Sequence, residues 1–197
     1  MHLFIFKRGV FMIKTELLNI LEAAPVVAAV RDDGWDEALA SSAEVIFYLK
    51  ANLLTVKSRV ADAVSRGKTV FVHIDLAEGI GKDKTGIDFL YRCGVSGIIS
   101  TRSQLITAAR EKGLLTVQRF FALDSQGLES IRDVSGIGAA DFIEIMPGVV
   151  PKVIELFAEK GASVIAGGLI ETKEEVMSAL GAGAVAVSTG KNNLWNI

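Results

Sequence analysis

Eight short apolar runs, rich in valine and isoleucine, recur along the chain about every 20 residues. They lie at 26–30, 45–49, 69–74, 97–99, 115–120, 142–145, 163–166 and 184–187. Each is almost continuously hydrophobic, the pattern of a strand covered on both faces. Between them the period lengthens to that of an amphipathic helix. Val56, Val60, Ala63 and Val64 fall on one helical face, and Val150, Val153, Ile154 and Phe157 on another. Boundary signals agree with this reading. Thr101 with Gln104, and Thr172 with Glu175, fit capping boxes. Asp124 suits an N-cap and Pro147 a first helical turn. Gly67, Gly113 and Gly161 stand where helices stop.

Eight strand–helix alternations predict an α/β chain folded as a compact (β/α)8 TIM-type barrel. With 197 residues the chain is short for that fold, where about 250 is typical, so its loops must be tight. An open doubly wound sheet is the alternative. The glycine pair in "AGGLI" (166–170) does not support it, because the G-x-G-x-x-G spacing is missing and the stretch lies late in the chain. The periodic pattern begins at Met12, which is itself a candidate start. Residues 1–13 therefore read as a dispensable N-terminal arm and 14–197 as a single barrel domain.

Composition narrows the function. Half the residues are apolar and 22% are charged, with a formal net charge of −2. Nothing global attracts a polyanion, so a nucleic-acid surface would have to be a local patch. Lys57, Arg59, Arg66 and Lys68 could form one basic edge around the second helix, but a solvated helix face is the reading that explains them better. Cys93 is the sole cysteine and His2 and His73 the sole histidines, which excludes an internal disulfide and cysteine-rich or histidine-rich metal sites. No apolar run reaches the roughly 18 residues of a membrane span. The first eleven residues lack the layout of a secretory signal. The expectation is a cytoplasmic protein with no membrane partner, and a homo-oligomer is compatible with the pattern.

Barrels of this type work at the C-terminal ends of their strands. Those ends carry Arg31, then Lys50 and Asn52, then His73 and Asp75, then Ser100, Thr101 and Arg102. Gln118 and Arg119, Glu144, Gly167 and Gly168, and Ser188 with Thr189 and Gly190 complete the ring. The glycine pair after the seventh run and Ser-Thr-Gly after the eighth match the usual phosphate site of this fold. Glycine lets backbone amides approach an anion closely, and Arg119 and Arg31 are suited to clamp it. His73, Asp75 and Glu144 are open to three readings: a metal set, acid–base groups, or a polar network that positions ligand hydroxyls. Lys50 would serve as a Schiff-base lysine only if desolvated. Cys93 reads as a packed residue.

Six stretches in order resemble the glycerol uptake operon antiterminator family: "FVHIDLAEGI" (71–80), "GIISTRS" (97–103), "TVQRFFALD" (116–124), "DFIEIMPGVVP" (141–151), "AGGLI" and "AVSTGKNNLW" (186–195). The resemblance spans about 26–195. It implies a bacterial cytoplasmic regulator, not an enzyme, that responds to glycerol 3-phosphate. It also implies action on leader RNA of glycerol-utilisation genes, letting transcription pass a terminator. The ligand residues it implies are His73, Asp75, Ser100, Thr101, Arg102, Gln118, Arg119, Glu144, Gly167, Gly168, Ser188 and Thr189. It brings no catalytic residue, metal or cofactor, and sulfate or phosphate would compete for the ligand's place. Lys50 departs from the family, which more often has an acidic or small polar residue there. The alternative is a small phosphate-binding barrel enzyme, a lyase or isomerase, acting on a triose or sugar phosphate.

Overall fold

The computed structural model describes residues 12–31, 33–122 and 140–197. Asp124 and the first eleven residues lie outside them. Eight parallel strands close into a barrel in sequence order, the last pairing with the first. They are β1 Val26–Val30, β2 Val45–Tyr48, β3 Thr69–His73, β4 Gly97–Ser100, β5 Leu115–Phe121, β6 Phe142–Met146, β7 Val164–Gly167 and β8 Ala186–Thr189. Around them run α1 Lys14–Ala23, α2 Trp35–Ala40, α3 Val56–Ser65, α4 Lys84–Arg92, α5 Ser103–Glu111, α6 Pro151–Ala158 and α7 Lys173–Gly181. Short 3₁₀ turns follow β3 (Ile74–Leu76) and β8 (Asn192–Leu194).

Because side chains alternate along a strand, the buried residues divide into two cores. Val27, Phe47, Phe71, Ile99, Val117, Phe142, Ile165 and Ala186 pack inside the barrel. Ala28, Tyr48, Val72, Ile98, Phe120, Ile145 and Val187 pack outward against the helices. Leu17 and Leu21 of α1 join the inner set, so α1 closes the N-terminal end of the barrel. Each is 1% exposed, and burying a leucine fully contributes about 1.5–3 kcal/mol.

Most boundary signals act as expected. Thr172 and Glu175 form a reciprocal capping box at α7. Gly67, Gly113 and Gly161 take positive φ past their helices. Three expectations need correction. Thr101 and Gln104 make no capping box: Arg102 is the N-cap of α5 and no side chain caps it, because the Thr101 hydroxyl donates to Asp75 at 3.1 Å. Pro147 is not in a first helical turn; it follows Met146 through a cis peptide, and Pro151 opens α6. Val64 is 51% exposed, so the buried stripe of α3 is Val56, Val60 and Ala63.

Candidate functional site

The strand parity that builds two cores also sorts the polar residues at the strand ends. His73, Arg119, Glu144, Gly167 and Ser188 each stand two residues after an inner-core residue and continue the inward face. Ser100, Gln118 and Thr189 each stand two residues from an outward-packing one and belong to the helix side. The twelve predicted ligand residues therefore do not form one ring.

The inward group is held by a buried ion pair. Arg119 Nε donates to Glu144 Oε2 at 2.6 Å, and the Ser188 hydroxyl donates to Glu144 Oε1 at 2.6 Å. Glu144 is fully buried and Arg119 is 8% exposed. Gly167 is required by this arrangement, since a Cβ there would lie 2.5 Å from Glu144 Oε1 and 2.7 Å from Ser188 Oγ. His73 faces the same interior at 3% exposure. Neither of its ring nitrogens has a hydrogen-bond partner among the described residues. Burial first, and the charge of Arg119 second, push its pKa down to about 4. The ring is therefore neutral near pH 7, with one nitrogen able to donate and one to accept.

A cavity of about 920 Å³ opens beside this group at the C-terminal ends of the strands. From the predicted set it takes in Arg119, Glu144, Gly168, Ser188 and Thr189, and with them Arg31 of the ring. Its rim also holds residues that the sequence reading missed: Leu76, Met146, Leu169 and Trp195. Leu169 is held at φ 61° beside Gly168 at φ 76°. The amides of Gly168, Leu169 and Gly190 donate to no acceptor among the described residues. The start of α7 is different, because Glu175 already accepts from the amides of Glu171 and Thr172 at 2.8 and 3.0 Å. The free donors thus lie in the loop ahead of the helix. That loop is braced by Gly148, whose amide donates to the carbonyls of Gly167 and Gly168. Thr189 contributes structure here: its hydroxyl donates to the Ile170 carbonyl at 2.7 Å and joins the two loops.

Asp75, Ser100, Thr101, Arg102 and Gln118 gather elsewhere, at the entry to α5. Asp75 accepts from the Ser100 hydroxyl at 3.0 Å and from the Thr101 amide at 2.7 Å. Arg102 Nε lies 3.6 Å from the same carboxylate. Gln118 Nε2 donates to the Ser103 hydroxyl at 2.9 Å, and its buried Oε1 has no partner among the described residues. This network shapes the β4–α5 loop and does not line the cavity. Lys50 is half exposed and paired with Glu78 at 2.8 Å, which removes the desolvation a Schiff-base lysine needs. Among the described residues no three His, Cys, Asp or Glu side chains come together as a metal-holding group.

Comparison with known proteins identifies the lineage. Residues 26–195 match the model of the glycerol-3-phosphate responsive antiterminators. The chain belongs to that family. It is 37% identical to a glycerol uptake operon antiterminator-related protein from Thermotoga maritima MSB8, with a TM-score of 0.75 over 86% of this chain and 96% of that one. A glycerol uptake operon antiterminator regulatory protein from Listeria monocytogenes str. 4b F2365 is 34% identical, with a TM-score of 0.78 over 86% and 94%. The uncharacterized protein YgcP of Escherichia coli (strain K12) is 36% identical over 184 residues, 92% of this chain and 96% of its own length. Aldolase and epimerase barrels of 13–16% identity share the fold alone. The antiterminator family is a regulatory one. No helix among the described residues is long and apolar enough to cross a membrane.

Proposed function

We propose that this chain is a sensor that binds glycerol 3-phosphate at the barrel mouth and, when loaded, acts on leader RNA of glycerol-utilisation genes as a transcription antiterminator. One observation carries the ligand half of this reading. Gly168, Leu169 and Gly190, whose amides have no acceptor among the described residues, line a cavity that also reaches buried Arg119. Backbone donors and a guanidinium are what a phosphate monoester requires. The neutral His73 ring suits the glycerol end, since a hydroxyl both donates and accepts. Membership of the family supports the RNA half.

The enzyme alternative is less well served by the geometry. Glu144 has both oxygens engaged by Arg119 and Ser188, and a locked ion pair is poorly placed to exchange protons with a substrate. A mobility-shift assay on a glycerol-operon leader transcript, at fixed salt, tests the proposal. Glycerol 3-phosphate should tighten binding by roughly 5- to 150-fold, the usual range of coupling between two sites. Equal RNA affinity with and without it would reject the sensor reading. A phosphorus NMR time course in which glycerol 3-phosphate or a triose phosphate is converted, and is spared by Glu144→Gln, would favour the enzyme.

A further inference from the structure

The charges of this chain are not spread evenly around the barrel. Residues 50–112, from the end of β2 to the end of α5, carry eleven Lys and Arg against six Asp and Glu, a net charge of +5. The rest of the chain carries ten against seventeen, a net −7. Because consecutive strands are neighbours in the closed barrel, residues 50–112 make up one continuous sector of wall. Lys57 of α3 lies close enough to Cys93, at the end of α4, to favour its thiolate against burial. Lys84 reaches from α4 to Glu111 of α5 at 3.1 Å, and Lys112 reaches back to Asp88 at 2.6 Å.

The carboxylates of this sector are spent within it. Asp62 meets Arg66 at 3.1 Å, and Asp88 serves both Arg92 and Lys112. Asp83 caps α4 by accepting from the Gly86 amide, and Asp75 is drawn into the β4–α5 loop. The outward faces still carry the bases: Lys57, Arg66, Lys84, Arg92, Arg110 and Lys112 are all exposed, four of them paired with the sector's own acids, so the excess is one of net charge. The helices outside this sector differ in sign. Helix α2, next to α3 in the barrel order, opens with Asp36 and Glu37 and has no basic residue, and α7, farther round, sets Glu174 and Glu175 against Lys173. Not all the basic residues expected to form an edge face outward: Arg59 Nη1 donates to the Tyr48 hydroxyl, and Lys68 Nζ to the Ser41 and Ala43 carbonyls.

We propose that the wall formed by α3, α4 and α5 is the RNA-binding face, receiving the sugar–phosphate backbone of the leader transcript; this rests on the reading that the protein acts on RNA. A chain with a net negative charge binds a polyanion only where its charge is segregated, and here the positive sector is contiguous and turns its acids on its own bases. The face approaches the ligand mouth through Leu76, which lines it; the preceding residue, Asp75, holds the Thr101 amide and Arg102 at the entry to α5.

The test compares two triple variants of the full chain in leader-RNA binding, over a salt series with glycerol 3-phosphate present. Lys57→Gln/Lys84→Gln/Arg110→Gln removes one charge from each helix of the wall. Lys152→Gln/Lys160→Gln/Lys173→Gln removes three from the other side, where all three residues are exposed. The wall variant should lose at least about tenfold in affinity, and its slope of log affinity against log salt should fall by about 2, as for three lost phosphate contacts on a single strand. The control should match the parent, and glycerol 3-phosphate should raise the melting temperature of both as it does that of the parent. A wall variant with parental affinity and slope, or a control that loses as much, would overturn the assignment while leaving RNA action intact. A parent that binds no leader RNA at low salt, with or without glycerol 3-phosphate, would overturn both.

Discussion

Glu144 has two oxygens, and the protein itself supplies a partner for each, so it acts as an internal anion beside the mouth. Arg119 reaches it from the neighbouring strand and Ser188 from two strands away. Removing one member of a buried pair leaves the other charge uncompensated, which costs about 3–5 kcal/mol, whereas replacing both with apolar groups is often near neutral. Arg119→Met should therefore destabilise the chain by about that amount, and Arg119→Met/Glu144→Leu should recover most of it. Urea unfolding of the two variants checks this; a double variant no more stable than the single one would show that the pair is not the source of the loss. His73 gives a second residue-scale prediction. Its ordinary pKa is near 6.5, and in the folded chain it is about 4. Between these values the unfolded chain holds a proton that the folded chain does not. Stability therefore rises with pH across the window and is lost as pH falls from 6.5 towards 4, by about 3 kcal/mol in full. His73→Gln should flatten this part of the pH–stability curve, and an unchanged curve would assign the loss to another group.

The elements show which parts of the structure the sequence makes legible. The strands were, because burial on both faces leaves runs of valine and isoleucine that little else produces. The box at α7 was legible because both partners, Thr172 and Glu175, lie within one helical turn. Thr172→Ala should cost about 1 kcal/mol in thermal or urea unfolding; a negligible change would mean the α7 terminus frays without consequence. The same spacing misled at Thr101 because its hydroxyl is claimed by Asp75, 26 residues earlier, and no local pattern carries that information. Strand parity would have separated Ser100, Gln118 and Thr189 from the inward groups, since the alternation is readable in the sequence. Leu76 and Leu169 gave no such signal; exposed leucines on loops become part of a rim only once the barrel closes. The links from Glu144 to Arg119 and Ser188 join three strands and are equally a product of closure.

For the whole molecule, a ligand that binds only the folded chain raises its stability by about 2.7 kcal/mol at a hundredfold excess over its Kd. In a domain of this size that corresponds to roughly 5–10 °C in Tm. Glycerol 3-phosphate should produce that shift, and plain glycerol at equal concentration almost none. Gly168→Asp should abolish it, because φ 76° disfavours a side chain and the new carboxylate repels the phosphate. Differential scanning calorimetry with and without ligand reads this directly, and a Gly168→Asp variant that folds and responds like the parent would move the phosphate away from that loop. The position of α1 has a kinetic consequence. With Leu17 and Leu21 stoppering the far end of the barrel, the described residues leave a small molecule the mouth at the strand ends as its door, through which it must both arrive and leave. A macromolecule lying across that door would imprison the ligand for as long as it stayed, lengthening its residence time without touching it. One resting on the wall would let it come and go.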